Sequence, residues 1–330
     1  MERSLSREEE DGRPLVSVVI PVYNRAHLLG RAIRSVLEQT FVDLELLVVD
    51  DGSSDGIADA VGSFGDPRLR LVRLPRRGGV ASARNVGIGQ ARGDLVAFLD
   101  SDDEWLLSKL EQQIARLGQH AAGRAVVSCQ FARYNDRTRR LAAPVRASPR
   151  GDSFDQFIRR SAPIPSSLVV PRAALEAVGG LDESLPTFAD YELLLRLADA
   201  SIHFVEVDAV LVIKHEHGTR QISSDPDTML RAFGILDQIW GARIRERCGR
   251  VAYRCWQAGL LGSIQYVRVR QAVARGDRLA GWRQWARTCR YLPWSCRYAV
   301  YGLGVATLGL HAYDALARVK DAAARALRSR

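Results

Sequence analysis

The sequence predicts an α/β fold, a mostly parallel sheet flanked by helices, followed by a helical C-terminal region. Apolar runs at 16–21, 44–49, 69–74 and 94–99 alternate with segments whose apolar residues recur at helical spacing. Alternation at this spacing implies right-handed βαβ units around a parallel sheet. Two of the runs end in acidic turns, Asp50-Asp51-Gly52-Ser53-Ser54-Asp55 and Asp100-Ser101-Asp102-Asp103-Glu104. From residue 226 onward only helical patterns remain.

Each element has its own warrant. Val16-Ser17-Val18-Val19-Ile20-Pro21 is nearly continuous in apolar residues, as in a strand buried on both faces. Asn24 is expected to N-cap the next helix, where Leu28, Leu29, Ala32, Ile33, Val36 and Leu37 recur. A second buried strand spans 44–49, a weaker helix 57–64 and a third strand 69–74. Gly78-Gly79 breaks the chain before a helix at 81–91; the fourth strand, 94–99, leads to a helix at 105–117. Beyond residue 119 the alternation weakens: a strand at 125–131, a polar Arg/Pro-rich loop at 135–152 and a strand at 166–170 ended by Pro171. A short helix from Pro171 stops at Gly179-Gly180, and another at 190–198 places Leu193, Leu194 and Leu197 on its apolar side. Strands at 202–207 and 210–213 lead to His215-Glu216-His217-Gly218.

Charge is unevenly spread over the 330 residues: from Gly241 onward 18 Lys+Arg face 4 Asp+Glu, leaving 29 against 34 in the first 240. A mildly acidic body thus carries a strongly basic tail. The five cysteines form no CxxC, which argues against a zinc site or a disulfide framework and suits a reducing cytoplasm. Residues 1–14 are charged, lack the apolar core of a signal peptide and read as a flexible arm.

In open α/β sheets ligands collect beyond the carboxyl ends of the strands, where both acidic turns fall. A hard divalent cation, Mn or Mg, would relieve the repulsion within Asp100-Ser101-Asp102-Asp103 and create a site for a diphosphate. In an extended segment Asp100 and Asp102 would reach the same side. Gly87-Ile88-Gly89 is no dinucleotide fingerprint, because the next glycine is Gly93 and the motif ends a helix; no GxxxxGK[ST] is present either. A dehydrogenase or P-loop enzyme is therefore disfavoured. Trp105 suits core packing or a sugar-stacking wall equally.

The runs VSVVIPVYNRAHLLGRAIRSVLEQTFVDLELLVVDDGSSDG and GGVASARNVGIGQARGDLVAFLDSDDEW closely resemble the family 2 glycosyltransferases, over about residues 16–223. The resemblance implies a GT-A, Rossmann-like fold and inverting transfer of a sugar from a nucleoside-diphosphate donor, most often a UDP-sugar, to an acceptor hydroxyl. It implies that Pro21, Tyr23, Asn24, Arg25 and Asp51 hold the nucleoside, Tyr23 by stacking and Asp51 by accepting a base N–H. Arg84 is expected to reach the nucleotide. Asp100 and Ser101 would lie against the donor, and Asp102 would ligate the metal. The family's catalytic base is the aspartate of an ED pair followed six residues on by arginine; in Phe188-Ala189-Asp190-Tyr191-Glu192-Leu193-Leu194-Leu195-Arg196 this is Asp190, with Ala189 in place of the preceding acid. Asp190 as a helix-terminal acid stabilised by the macrodipole is the plainer alternative, and Glu192 reads as a solvated helix position. His217, ahead of Arg220-Gln221, resembles the family's loop over the diphosphate or metal, with His215 an open alternative.

The expected domains are 15–223, divided into a nucleotide-sugar half at 15–118 and an acceptor half at 119–223, and a basic helical region at 224–330. Within the latter, 298–313 is uncharged but shorter than a spanning helix and glycine-containing. Flanking Arg and Trp residues suit peripheral contact with an anionic cytoplasmic membrane face; a purely structural tail is the alternative, and no nucleic acid is expected. The expected acceptor is a glycan or lipid-linked molecule. Two rival classes remain at this stage, a catalytically silent nucleotide-binding module and a sugar nucleotidyltransferase.

Overall fold

The computed structural model describes residues 12–119, 125–145, 152–159, 162–216 and 225–289, with 303, 305 and 306. Two compact units are present, Met1–Ser184 with Ala189–Gly218, and Leu185–Phe188 with Thr219–Arg330.

The first unit is built on one sheet. Strands β1 (Val16–Val22), β2 (Leu44–Asp50), β3 (Leu69–Arg73) and β4 (Leu95–Phe98) are parallel, in spatial order β3-β2-β1-β4. Every residue of β1, β2 and β4 is buried, which is why these runs show no polar alternation. Helices α1 (Ala26–Leu37), α2 (Ile57–Gly62), α3 (Val80–Gln90) and α4 (Lys109–Leu117) follow or join the strands. Leu29, Ile33 and Val36 of α1 share a core with Val18, Ile20, Leu46 and Val48. Truncating a leucine or isoleucine of this core to alanine costs about 2–5 kcal/mol, so the strand ends that carry polar turns are firmly seated. Helix α3 lies directly on β1, and a Cβ at Gly87 would collide with the side chain of Val19. The Gly87-Ile88-Gly89 motif therefore serves close packing.

Beyond β4 the sheet becomes mixed. Strand β5 (Glu104–Trp105) follows the acidic turn, and β6 (Ala125–Asn135) pairs with β7 (Arg140–Leu141). Strand β8 (Val169–Pro171) joins β4 antiparallel, β6 lies beside it, and β9 (His203–Glu216) runs parallel to β6 with β5 antiparallel on its far side. Helices α5 (Ser153–Arg159), α6 (Arg172–Ala177) and α7 (Ala189–Asp199) complete the unit's described elements.

Several local expectations change. Asn24 adopts φ 50° and does not cap α1; the Asp55 carboxylate, from the turn after β2, accepts from Ala26 N at 2.8 Å instead. Trp105 is a strand residue, since its indole N–H donates to Ser166 O at 2.7 Å and its backbone pairs with Val212. Its ring is buried under Lys109, whose Nζ lies 3.7 Å from the centroid, so it belongs to the core and is no sugar wall. The two strands expected at 202–213 form one, with register shifts on either side of Gln130, the first taking up Asp208 and Ala209 between them. Residues 165–167 form a 3-10 turn ahead of β8. Glu192 is buried, held by a bidentate pair with Arg196.

The second unit contains α8 (Pro226–Ala274), which turns at Gly249, where φ is 88°, and α9 (Arg278–Thr288). The two arms of α8 run antiparallel: Asp227 pairs with Arg268, and the Asp237 carboxylate accepts from Tyr253 OH. Among the described residues no helix is long and apolar enough to cross a membrane. Cys129, Cys255 and Cys289 carry free thiols.

Candidate active site

Because β1, β2 and β4 are parallel, their carboxyl ends deliver three loops to one rim. Register places Val22 beside Asp50, and Asp51 N donates to Val22 O at 2.9 Å.

The first loop is Tyr23-Asn24-Arg25. Its left-handed residue, Asn24, exchanges hydrogen bonds with the second loop: Asn24 N donates to Ser53 Oγ at 2.9 Å, and Asn24 Oδ1 accepts from Ser54 N at 2.8 Å. Asp50 is fully buried and structural, accepting from Ser53 N at 2.8 Å and from Arg73 Nε at 3.1 Å. Asp51, also buried, accepts from the backbone N–H groups of Gly78 and Gly79 at 2.6 and 2.9 Å, shaping the turn that opens α3. That turn also carries Arg77, whose guanidinium lies 4.3 Å over the Tyr23 ring. Pro21 is buried within β1.

The third loop, Asp100–Asp103, is a turn rather than the extended segment expected, closed by Asp103 N donating to Asp100 O at 3.0 Å. The turn brings Asp103 into the group: Asp100, Asp102 and Asp103 each offer an oxygen within 4.8 Å of the others. Asp51 is not part of this group, so the carboxylates able to share a cation, among the described residues, all come from the β4 turn.

Cations surround them. Arg84 Nη2 is 2.6 Å from Asp100 Oδ1, and Arg25 Nη1 is 2.7 Å from Asp102 Oδ2. Lys214 Nζ, from β9, is 3.9 Å from Asp103 Oδ2. Arg31 Nη2 donates to the Asp102 carbonyl at 3.0 Å. Burial opposes ionisation of Asp100, but Arg84, Lys214 and Arg25 outweigh it and hold its carboxyl below the usual range. Asp103 goes the other way: burial first, then the charges of Asp100 and Asp102, push it up to about 7 despite Lys214 and Ser166. Lys214 is desolvated too, yet its three carboxylate neighbours keep it above the usual lysine range.

Ser166, reached from the other half of the sheet, ties this turn down. Its Oγ donates to Asp103 Oδ2 at 2.6 Å and accepts from Asp100 N at 3.1 Å. Asp103 Oδ1 is buried without a partner. An orphaned carboxylate oxygen beside two more carboxylates is the donor set of a hard divalent cation, so these residues fit Mn or Mg. Ser101 is buried within the same turn.

Asp190 stands half-buried in the first turn of α7, with no hydrogen bond or ion pair among the described residues. The loop leading towards it is pinned by Asn85, next to Arg84: Asn85 Oδ1 accepts from Leu181 N at 2.8 Å and Nδ2 donates to Leu181 O at 2.9 Å. Gly180 fits beneath it at φ 69°, where a Cβ would sit 2.6 Å from Asn85 Oδ1. His215 bridges Asp136 Oδ1 at 2.8 Å and Glu104 Oε2 at 3.1 Å, so both ring nitrogens are engaged. His217 lies outside the described residues.

Sequence reasoning paired Asp100 with Asp102 and named Arg25 and Arg84 separately, and here the four form two ion pairs around one turn. It counted Asp103 in the acidic cluster without giving it a role, and it missed Ser166, Lys214, Arg31 and Arg77. Only Asp103 had a visible signal, as the third carboxylate of the turn.

Comparison with known proteins follows the same lines. The family described as Glycosyl transferase family 2 matches residues 17–175. The Escherichia coli UDP-Glc:alpha-D-GlcNAc-diphosphoundecaprenol beta-1,3-glucosyltransferase WfgD is 46% identical over 103 residues, 31% of this chain and 41% of that protein. The chain thus spans well under two thirds of that relative. An uncharacterized glycosyltransferase of Rickettsia typhi is 32% identical over 238 residues, 71% of this chain and 72% of that one. Among solved structures, Staphylococcus aureus TarS residues 1–349 in complex with UDP-GlcNAc superposes with a TM-score of 0.54 at 19% identity, covering 89% of this chain and 92% of that one. That likeness is one of fold, GT-A. The chain belongs to glycosyl transferase family 2.

Proposed function

We propose that the enzyme transfers a sugar from a nucleoside diphosphate, a UDP-sugar before others, to an acceptor hydroxyl with inversion. The observation that carries this reading is the β4 turn: three carboxylates, one with an orphaned buried oxygen, ringed by Arg25, Arg84 and Lys214. Such a mixed-charge rim suits a dianionic diphosphate held with a divalent cation, whereas a buried acidic cluster alone would only destabilise the fold. Asp102, with Asp100 and Asp103 beside it, would hold Mn or Mg, which when bound offsets charge developing on the departing diphosphate. His217 is assigned to the same diphosphate and metal side.

Tyr23 and Arg77 frame a stacking position for the base, supported by the ring–guanidinium contact. Asp51 retains lone pairs beyond its two backbone bonds and is assigned a base N–H. Pro21, Asn24 and Arg25 shape the nucleoside loop, and Asp100, Ser101 and Arg84 lie along the ribose and diphosphate. Asp190 is assigned as general base: its carboxylate takes the acceptor hydroxyl proton as that oxygen attacks the anomeric carbon. The bond to the diphosphate breaks, its electron pair leaves with the phosphate oxygen, and the configuration inverts. Among the described residues its carboxylate has no competing partner, which supports that role. The domain roles follow: a nucleotide-sugar half at 15–118, an acceptor half at 119–223 and a basic region at 224–330.

The setting proposed is assembly of a cell-surface polysaccharide or lipid-linked glycan at the cytoplasmic membrane face. Relatives whose names refer to a diphosphoundecaprenol acceptor, to succinoglycan and to teichuronic acid support it. The test is a panel of nucleotide sugars scored for nucleoside diphosphate release with acceptor. One UDP-sugar is expected to turn over, with Asp190→Asn inactive but still binding UDP. Release of pyrophosphate from nucleoside triphosphates, or full activity of Asp190→Asn, would overturn the reading.

A further inference from the structure

We infer that the exposed face of α9 is a docking surface for an anionic lipid bilayer. At 3.6 residues per turn, Leu279, Trp282 and Ala286 fall within about 60° of one another around the helix axis. All three are exposed, Leu279 by 62% and Trp282 by 38%. Arg278 flanks this strip on one side, Arg283 and Arg287 on the other, all exposed. The opposite face is committed inward: Gly281 and Thr288 are buried, and Trp285 packs against the small core of Val269, Val305 and Ala306. The helix is anchored at its start by Asp277, whose carboxylate accepts from Ala280 N at 2.8 Å. No acidic residue occurs within α9 itself.

The occupant follows from this chemistry. A narrow apolar strip with an indole, bordered on both sides by guanidinium groups, matches the boundary between acyl chains and anionic headgroups. Trp282 stands edge-on to Trp285, centroids 5.4 Å apart, which keeps the outer indole in place. Nucleic acid would use the arginines but leave Leu279 in water. A protein partner would need an acidic, apolar-lined groove, for which the proposed setting supplies no candidate, whereas that setting places the acceptor at a membrane. The surface deepens the membrane setting proposed above and is separable from the chemistry.

The test is sedimentation of the full chain with vesicles, phosphatidylcholine alone or with a minority of phosphatidylglycerol, at physiological salt. The wild type is expected to sediment with the anionic vesicles alone and to be released as salt rises. Each arginine near the surface contributes about five-fold, so Arg278→Gln/Arg283→Gln/Arg287→Gln is expected to lose at least ten-fold. Leu279→Ser/Trp282→Ser and Ala286→Glu attack the apolar strip and should lose a comparable amount, with unchanged circular dichroism and unchanged UDP release from donor. Wild-type sedimentation by these variants, sedimentation with neither vesicle, or preference for duplex RNA or DNA over the anionic vesicles would overturn the inference. A chain that binds vesicles but releases no UDP would leave the surface standing and remove the transfer reading.

Discussion

Replacing Asp103 with asparagine is expected to stabilise the enzyme while disabling it. Asp103 is fully buried in the β4 turn, and desolvation together with Asp100 and Asp102 pushes its carboxyl from 3.8 up to about 7. Between those two values the unfolded chain is ionised while the folded one keeps its proton. The folded state therefore binds more protons, and this group makes stability fall as pH rises from about 4 to about 7. About three pKa units at 1.36 kcal/mol each bound the cost of the ionised form at roughly 4 kcal/mol. An asparagine mimics the neutral acid: its oxygen still accepts from Ser166 Oγ, and its amide N–H groups point where the orphaned Oδ1 now sits, beside two carboxylates. The gain should be about 2–4 kcal/mol above pH 8, which for a domain of this size is roughly 5–15 °C in Tm. Below about pH 4 the two proteins should converge. Thermal melts in chelator from pH 4 to pH 8.5, comparing Asp103→Asn with wild type, check this directly, alongside metal-dependent UDP release, which should fall by at least a hundred-fold. A variant less stable than wild type at pH 8, or a difference that does not change with pH, would refute the reasoning.

Other outcomes follow from the same geometry. Asp190→Asn should lower kcat by about 10²–10⁴-fold, the usual worth of a general base, with Kd for UDP within two-fold or so of wild type; calorimetry with UDP separates the two. Ser166→Ala removes a side chain that grips both Asp103 and the Asp100 backbone, and should weaken Mn binding by about 10–100-fold, with Ser166→Thr restoring part of it. Lys109 is fully buried, bonded to Gln113 Oε1 at 2.6 Å and pushed down to about 8 by burial. Its folded pKa is depressed, so stability should rise with pH between about 8 and 10.5, and Lys109→Met should abolish that slope in urea titrations.

What the sequence made legible was local. Fully buried strands such as β1, β2 and β4 announce themselves as unbroken apolar runs, and their polar ends locate the rim. Helical spacing placed α1 and α7 within a residue or two. Contacts that join distant segments left no local trace. Asp55 caps α1 from 29 residues away, Ser166 reaches Asp103 across 63, and Lys214 arrives from β9. Trp105 read as the start of a helix at 105–117, but its indole bond to Ser166 O and pairing with Val212 favour the strand. Glu192 read as solvated, since nothing in its neighbours' polarity reveals the bidentate Arg196 beneath it. The acidic turn was legible as a cluster, but its closed geometry, with Asp103 included and Asp51 excluded, was set by Ser166, Gly78 and Gly79.

The most direct measurement is Mn binding to the full chain by titration calorimetry, with and without UDP, for wild type and Asp102→Asn. One Mn is expected per chain, bound tighter when UDP is present by the same factor that Mn tightens UDP, with both effects gone in Asp102→Asn. Equal UDP affinity with Mn and with chelator, or undiminished Mn binding by the variant, would contradict a cation held at the β4 turn.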